Sequence, residues 1–325
     1  MKPYLSFLMT TYNDMRIFPM TVASLQSQPF TDWELLILDN SEGEGPWEQI
    51  TKAASADSRI HPYRSDGNVG WAKGTAELLR YAKGEYMTFL AADDFLNANS
   101  LGKLYQTLSE IAPDVAFVGN AYVEVAEDMS IDVKGGVCPE YHIYDDTNRS
   151  ECIADILSQT YYNSMFHYCR LSFLKTHGID FYEPFYGDCG GMTEALCRAE
   201  KILSYDKVVY LLTMNTSQTH GKYTWNFYRI ISGQWKAFKE VFERENYRGE
   251  QNIRYVAEKI FDNLVGHIDI LMNNGTCRDK CMNPISVTYE QRMLQVKEML
   301  QDPYIADLFN YLGQNRLKAA LESRI

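Results

Sequence analysis

Two short apolar runs, each ending in polar side chains, constrain the fold of this chain more than any other feature. The first run is Tyr4–Thr10, which is followed by Thr11 and Tyr12; the second is Glu85–Leu90, which is followed after two alanines by Asp93-Asp94. Short apolar runs bounded by polar or small residues are typical of buried strands. In open parallel sheets, ligands bind outside the carboxyl ends of the strands. The two runs therefore predict one site for a polar ligand at that edge of a sheet.

Strand and helix patterns alternate along the first two thirds of the sequence. Further strands are predicted at Trp33–Asp39, Ile60–Arg64, Val115–Val118 and Val208–Leu212. Helices are predicted at about Met15–Ser27, Trp47–Ala56, Trp71–Tyr81, Leu101–Ile111 and Met192–Glu200. This order implies right-handed crossovers and a mainly parallel, doubly wound α/β sheet.

The segment Tyr122–Asn148 departs from this alternation. It carries two adjacent glycines, a proline and several acidic residues. Because such residues favour turns over core elements, we predict an irregular excursion that passes over the site.

Two more groups are predicted to lie at the same edge of the sheet. The second strand ends at Asp39, which the topology places beside Thr11 and Tyr12. The loop Asp66–Gly70 then opens the helix that starts at Trp71. Glycines let the backbone approach a ligand closely, and amides at a helix start favour negative charge. The loop also fits a plain turn, but its position directly before the acidic strand favours a ligand-binding role.

From about residue 223 onward the pattern changes, and apolar residues recur at helical spacing over long segments. We therefore predict two domains: residues 1–222 with the sheet, and residues 223–325 as an all-α extension without chemistry of its own. The apolar stripes of the extension bury against the first domain, against each other or, in a homo-oligomer, against a second copy. The sequence does not distinguish these three arrangements.

Composition excludes several classes of protein. The 325-residue chain has a formal net charge of -12, which argues against a nucleic-acid partner because phosphate contacts call for a basic face. No apolar run approaches the roughly twenty residues of a membrane span, and no signal peptide is recognisable, so a cytoplasmic protein is expected. Seven scattered cysteines fit reduced thiols. A zinc site at His267, Cys277 and Cys281 would need more ligands, so plain thiols are favoured.

Four motifs in this order resemble those of the inverting family-2 glycosyltransferases, which have the GT-A fold and use nucleotide-diphosphate sugars. The motifs are Leu8–Asn13, Trp33–Ser41, Asn68–Ala72 and Gly84–Asp94. The resemblance covers about residues 4–220 and is specific because the four matches occur in the same order. It implies transfer of a sugar from a nucleotide diphosphate to a hydroxyl of a glycan or glycoconjugate, as in polysaccharide biosynthesis. UDP is the nucleotide expected in the donor.

The resemblance also assigns roles in nucleotide binding. Thr11 and Tyr12 would border the nucleobase, and Asp39 would accept hydrogen bonds from the base or the ribose. Asn68 and Gly70 would lie alongside the nucleoside.

The metal motif is only partly present. By resemblance Asp93 would bind a divalent cofactor ion, Mn²⁺ or Mg²⁺, which offsets the charge that gathers on the leaving diphosphate. Ala91 stands where the family usually has a first aspartate, and Thr75-Ala76 replaces a common Arg-Asn pair, so one phosphate or ribose contact is expected to be missing. Asn215 replaces a histidine that some relatives use near the diphosphate, and His220 is a nearby substitute.

The catalytic base of the family corresponds to Asp188, which is preceded by Gly187 instead of the usual glutamate. We expect it in a loop that leads into the helix starting at Met192. Its carboxylate would take the proton from the acceptor hydroxyl. Glu194 is the alternative base, although the simpler expectation for it is a solvated acid in the first turn of the helix.

A second class of function competes with the enzyme. Ala91 and the altered central helix also fit a non-catalytic sugar-nucleotide-binding or assembly subunit that keeps the fold. Asp93 and Asp188 favour the enzyme. The acceptor would be either soluble or lipid-linked and approached from the cytosol by a membrane-peripheral enzyme.

Overall fold

The structure is a computed structural model. It describes residues 2–13, 15–148, 166–181, 187–214, 225, 227–246, 249–273, 275–278 and 284–323, and residues 187–189, 252, 278 and 284 by their backbone alone. The chain divides into two compact units, Met1–Met214 and Asn215–Ile325. The predicted domain boundary between residues 222 and 223 lies outside the described residues.

The first unit combines a sheet with helices. Its strands are β1 (Leu5–Thr11), β2 (Trp33–Asp39), β3 (Ile60–Arg64), β4 (Tyr86–Phe89), β5 (Phe95–Leu96), β6 (Val115–Val125), β7 (Ile131–Val137), β8 (His142–Tyr144), β9 (His167–Arg170) and β10 (Ile202–Thr213). Its helices are α1 (Phe18–Gln26), α2 (Glu44–Ala56), α3 (Trp71–Tyr81), α4 (Ser100–Ile111), α5 (Leu171–His177) and α6 (Gly187–Arg198).

In the part of the chain that the structure describes, these ten strands form one sheet. Its order is β3-β2-β1-β4-β9-β6-β10-β5, with β7 added to β6 and β8 to β10. The half around β1 is parallel, because β1 pairs with β2 and β4, and β2 pairs with β3. Strand β9 lies antiparallel between β4 and β6, and β6 and β10 again run parallel. The predicted α/β fold is confirmed, and β9 divides its parallel strands into two groups.

The centre of the sheet is apolar on both faces. All seven residues of β2 are buried, as expected of a strand that is covered on both faces. Helix α3 packs closely against this region: a Cβ at Gly74 would lie 2.8 Å from Cδ2 of Leu38 and 2.9 Å from Cγ2 of Thr10. Only glycine leaves room for this approach, which brings α3 to the carboxyl ends of β1 and β2.

The predicted irregular excursion at Tyr122–Asn148 is wrong. Strand β6 continues to Val125 and β7 returns antiparallel to it, so a hairpin occupies this segment. Its turn is closed by Asp128, whose Oδ1 accepts hydrogen bonds from the amide and the hydroxyl of Ser130, at 3.0 and 2.6 Å. The residues of β7 are almost all exposed and include two glycines, so this strand lacks the apolar face by which strands are predicted.

Most other predicted elements are present, and β2, β3 and α3 have the predicted bounds. Helix α1 begins later than predicted and has proline in its first turn. Strand β10 is longer than predicted. The prediction began only at Val208 because the charged pair at residues 206–207 interrupts the apolar pattern of the strand. The register of β10 shifts there, between Tyr205 and Val208.

The second unit is helical, as predicted. Its elements are α7 (Tyr228–Arg244), α8 (Glu250–Met272), β11 (Cys277–Arg278), β12 (Pro284–Ile285), α9 (Tyr289–Gln301), α10 (Pro303–Tyr311) and α11 (Asn315–Glu322). Thr288 and Gln291 form a capping box at the start of α9. Asp302 caps α10 by accepting hydrogen bonds from the amides of Tyr304 and Ile305. Among the described residues, the helices lack the combination of length and apolar character that a membrane span requires.

Candidate functional site

The carboxyl ends of three adjacent parallel strands form the candidate site. In the register of β1 and β2, Thr11 lies opposite Asp39. On the other side of β1, Leu8 lies opposite Phe89, and the amide of Leu90 donates to the carbonyl of Leu8 at 3.0 Å. The hydroxyl and carboxylate at the ends of β1 and β2 therefore share one edge of the sheet with the acidic turn that follows β4, as the sequence predicts.

Asp39 carries the most distinctive group at this edge. Its side chain is fully buried. Its Oδ1 accepts hydrogen bonds from Oγ1 of Thr11 at 3.2 Å and from the amide of Ser41 at 2.9 Å. Its Oδ2 has no hydrogen-bond partner among the described residues. Because a buried carboxylate oxygen is costly to leave without a donor, this atom suits the N–H or O–H group of a ligand.

Arg64 places a positive charge beside this carboxylate, and the sequence reasoning did not single it out. Its Nε lies 3.9 Å from Oδ2 of Asp39. Its Nη1 contacts both carboxylate oxygens of Glu44 at 2.9 Å, and its Nη2 donates to the carbonyl of Gly43 at 3.0 Å. Arg64 therefore fixes the loop after β2 at the rim of the site. Its register on β3, opposite Asp39, was the available signal.

The glycine-containing loop before α3 is held by its own polar side chains. Oδ1 of Asn68 accepts a hydrogen bond from the amide of Gly70 at 2.9 Å, and Gly70 has a φ of 81°. Gly67 is also left-handed, with a φ of 76°. Only glycine adopts such angles without strain, so the sequence of this loop specifies its shape. Tyr12, at the end of β1, is 38% exposed and so presents its ring to solvent near the same edge.

The two acids of the turn after β4 have different environments. Asp93 is partly exposed, whereas Asp94 is only 2% exposed. Asp94 accepts a hydrogen bond from the hydroxyl of Tyr210 at 2.7 Å and another from the amide of Thr213 at 2.8 Å. Burial, together with the neighbouring charge of Asp93, raises the pKa of Asp94 to about 8. Asp94 is therefore bound to β10, and Asp93 is the more exposed acid of this turn.

The residues present fit a metal ion that arrives with its ligand. Among the described residues, no three His, Cys, Asp or Glu side chains form a group that could hold a metal ion on their own. A single carboxylate at Asp93 matches the way Mg²⁺ is commonly bound, through one or two carboxylates with substrate phosphates and water as the remaining ligands. The donor set thus suits a divalent ion shared with a diphosphate.

Asp188 lies in the first turn of α6, because this helix begins at Gly187 and not at Met192 as predicted. The expected loop position of Asp188 is therefore wrong, and its side chain is outside what the structure describes. Glu194 is not a solvated first-turn acid either. It lies in the middle of α6, its side chain is 15% exposed, and its Oε1 accepts a hydrogen bond from Nε of Arg198 at 3.0 Å. Asn215 and His220 lie outside the described residues.

An aromatic pair connects α6 to the strand that carries the acidic turn. The rings of Phe89 and Phe181 meet edge to face with centroids 5.0 Å apart, and the ring centroid of Trp71, at the start of α3, lies 5.4 Å from that of Phe89. A Cβ at Gly191 of α6 would lie 2.8 Å from Cδ1 of Phe181 and 2.6 Å from the carbonyl oxygen of Asp180. These contacts set the position of α6 relative to the end of β4, and the sequence gives no signal for them.

The chain is similar to sugar transferases in sequence. The profile of the family described as Glycosyl transferase family 2 matches residues 6–130. The putative teichuronic acid biosynthesis glycosyltransferase TuaG of Bacillus subtilis is 29% identical over 152 residues, which are 47% of this chain and 60% of TuaG. The UDP-Glc:alpha-D-GlcNAc-diphosphoundecaprenol beta-1,3-glucosyltransferase WfgD of Escherichia coli is 27% identical over 180 residues, 54% of this chain and 66% of WfgD. The chain thus spans less than two thirds of either relative.

Solved structures share the fold. Residues 1–349 of S. aureus TarS, in complex with UDP-GlcNAc, superpose with a TM-score of 0.68 at 18% identity, covering 98% of this chain and 86% of that one. The mannosyltransferase PcManGT of Pyrobaculum calidifontis, in complex with GDP-Man and Mn²⁺, gives 0.52 at 10% identity, covering 100% of this chain and 87% of that one. The expected GT-A fold with a helical extension is confirmed, and the resemblance to glycosyl transferase family 2 is supported over residues 6–130, where the profile of that family matches.

Proposed function

We propose that the chain is an inverting glycosyltransferase that moves a sugar from a nucleotide diphosphate, UDP, to a hydroxyl of a glycan or glycoconjugate. The observation that carries the proposal is the buried carboxylate of Asp39, whose Oδ2 has no hydrogen-bond partner among the described residues, at an edge shared with Thr11 and the acidic turn. A nucleobase that presents an N–H group, as uracil does, satisfies that oxygen.

The rest of the nucleoside follows from this contact. Thr11 and Tyr12 border the base at the end of β1, and the exposed ring of Tyr12 offers a stacking surface. Asn68 and Gly70 lie alongside the nucleoside, and the left-handed φ of Gly70 lets the backbone approach the ligand closely. The positive charge of Arg64 stabilises the carboxylate that receives the base.

Asp93 holds the diphosphate end of the donor. When bound there, a divalent ion supplies positive charge that offsets the charge on the departing diphosphate. The chain contributes the carboxylate of Asp93 as the protein ligand of that ion. Asp94 supports the same turn from its buried position against β10.

The transfer step uses Asp188 as general base. The oxygen of the acceptor hydroxyl attacks the anomeric carbon from the face opposite the diphosphate, so a new carbon–oxygen bond forms with inversion. The bond from that carbon to the diphosphate oxygen breaks, and its electron pair leaves with the nucleoside diphosphate. The hydroxyl proton passes to the carboxylate of Asp188.

The names of related proteins support the donor and the type of acceptor. WfgD is a UDP-glucose-dependent transferase whose acceptor is a diphosphoundecaprenol-linked sugar, and the structure of TarS contains UDP-GlcNAc. For this chain we propose UDP as the nucleotide and a glycan or glycoconjugate acceptor reached from the cytosol. The individual sugar depends on pocket contacts that these likenesses do not specify.

Calorimetry of UDP binding to two variants tests the proposal. Asp39→Asn keeps an oxygen for Thr11 and Ser41 but turns a donor amide toward the ligand, so UDP affinity falls by about ten- to a hundredfold, the range for a hydrogen bond to a charged group. Glu34→Gln is the matched control, because Glu34 is a buried carboxylate at the opposite end of β2 that accepts from Oγ of Ser6. It leaves UDP affinity unchanged. Parental affinity in Asp39→Asn contradicts the proposed nucleotide site.

A donor panel tests the reaction itself. Purified protein is incubated with UDP-sugars, Mn²⁺ and a diphosphate-linked acceptor, and released UDP is measured together with the glycosylated product. Product from at least one UDP-sugar supports the enzyme. UDP binding without product from any donor supports the non-catalytic binder instead.

A further inference from the structure

The turn that carries Asp93 is fixed on both sides by side chains from distant elements. It spans Ala91–Asp94, and the amide of Asp94 donates to the carbonyl of Ala91 at 3.3 Å. Asp93 therefore lies inside a closed turn. The groups that hold this turn belong to α1 and β10, which are far from it in sequence.

Helix α1 holds the turn just before Asp93. Oγ1 of Thr21 donates to the carbonyl of Ala92 at 2.9 Å, and Thr21 is completely buried. A buried hydroxyl that bonds a backbone carbonyl in another element fixes the backbone at that point, because breaking the bond would leave both groups without a partner.

Strand β10 holds the turn at both of its ends. The hydroxyl of Tyr210 accepts from the amide of Ala91 at 3.2 Å and donates to Oδ2 of Asp94 at 2.7 Å. The amide of Thr213 donates to Oδ1 of Asp94 at 2.8 Å. One buried phenol thus joins the first and the last residue of the turn, and Asp93 lies between them.

We propose that Tyr210, assisted by Thr21, is a positioning residue that fixes the turn so that Asp93 meets the metal–diphosphate group of the donor. The proposal rests on the proposed function, which makes Asp93 the metal ligand. It adds residues that bond neither the metal nor the nucleotide.

The reason for such an anchor lies in the incomplete acid motif. Ala91 offers no carboxylate, so Asp93 alone represents the motif as a ligand while Asp94 is bound to β10. With a single protein ligand, the position of the ion depends on how firmly that one backbone position is held. Groups that orient a metal ligand without touching the metal typically contribute ten- to a hundredfold in metal affinity.

The test compares two buried tyrosines of the same sheet whose hydroxyls have different hydrogen-bond partners. Tyr210→Phe removes the hydroxyl between Ala91 and Asp94. Tyr86→Phe is the matched control, because Tyr86 is equally buried in the same sheet and donates to the carbonyl of Pro113 at 2.8 Å, far from the turn. Both variants lose the hydrogen bonds of one buried phenol hydroxyl, so a general loss of stability affects both.

Two measurements are made on each variant. Amide hydrogen exchange of the segment 88–96 speeds up in Tyr210→Phe, because the amide of Ala91 loses its acceptor, and stays parental in Tyr86→Phe. Mn²⁺ affinity in the presence of saturating UDP, measured by electron paramagnetic resonance, falls by about tenfold in Tyr210→Phe and stays parental in Tyr86→Phe.

The outcomes separate the anchor from the proposed function. Parental exchange and parental Mn²⁺ affinity in Tyr210→Phe overturn the anchor, as does an equal loss of affinity in Tyr86→Phe. If the parent itself does not bind Mn²⁺ with UDP, the metal role of Asp93 fails, while the exchange result still decides whether Tyr210 holds the turn. Should Tyr210→Phe not fold, Thr21→Val undergoes the same two measurements, and parental values there overturn the proposal.

Discussion

The ring of Phe181 packs edge to face against that of Phe89, and Gly191 of α6 lies so close to Phe181 that a Cβ there would approach its ring to 2.8 Å. Phe89 is the last residue of β4, and Leu90 alone separates it from the turn Ala91–Asp94. The helix that carries Asp188 is therefore positioned against the strand that leads into the turn of Asp93. In the proposed reaction Asp93 serves the leaving diphosphate and Asp188 the attacking hydroxyl. The packing of Phe181 therefore positions these two residues relative to each other.

Adding a side chain at Gly191 should disturb the packing of α6 against Phe181. Gly191→Ala would place a methyl group 2.6 Å from the carbonyl oxygen of Asp180, so the helix must shift, at a cost of about 1–3 kcal/mol in the free energy of unfolding. Transfer activity should fall with it. Gly102→Ala in α4 is the control, because a Cβ there meets nothing within 4 Å and alanine is the better helix former by about 1 kcal/mol. Thermal unfolding that ranks Gly191→Ala at or above the parent contradicts the close contact.

The metal role of Asp93 predicts a conditional loss of nucleotide affinity. In Asp93→Ala, UDP binds as in the parent without metal but gains little when Mn²⁺ is added, because the protein ligand of the ion is gone. Asp128→Ala, at an exposed turn of the β6–β7 hairpin, is the control and keeps the parental gain. Calorimetric titrations with and without Mn²⁺ measure the difference. Equal gains in Asp93→Ala and the parent would falsify the metal assignment.

The second unit should lose stability in mild acid. Burial lowers the pKa of His267 in α8 from 6.5 to about 4, against the opposing effect of a hydrogen bond with Gln295. Between these two values the unfolded chain binds a proton that the folded unit does not, so the free energy of unfolding falls as the pH drops from 6.5 to 4. The loss amounts to about 3 kcal/mol.

Melting temperatures between pH 7 and 4.5 check this prediction. His267→Gln removes the titrating group, so its melting temperature should fall less steeply with pH than that of the parent. His177→Gln, at an exposed position in the first unit, is the control and follows the parental curve. Equal slopes for His267→Gln and the parent exclude His267 as the source.

The sequence predicts those parts of the fold whose cause is local. The bounds of β2 are recognisable because its residues form a nearly continuous apolar run, and the start of α3 because a loop with two glycines precedes it. The juxtaposition of Thr11 with Asp39 also follows, since parallel strand order alone determines it. The β6–β7 hairpin was missed because its second strand has no apolar face.

The groups that support the site were not predictable in the same way. Tyr210 and Asp94 are 116 residues apart, and no local pattern marks a tyrosine of β10 as the partner of an acid after β4. The contact of Gly191 with Phe181 likewise depends on how two elements pack. Motifs identify the residues that are expected to contact the ligand. The residues that hold these in place are recognisable only from tertiary contacts.

The account depends most on Asp188 as the base of a sugar transfer. Asp188→Asn keeps the size of the side chain but cannot accept the proton. Glu194→Gln is the matched control, since Glu194 lies on the same helix and pairs with Arg198.

The deciding measurement is the transfer rate of Asp188→Asn with UDP affinity determined on the same preparation. We predict a rate lower by about a hundred- to ten-thousandfold with unchanged UDP affinity, and a near-parental rate for Glu194→Gln. A parental transfer rate in Asp188→Asn contradicts the account.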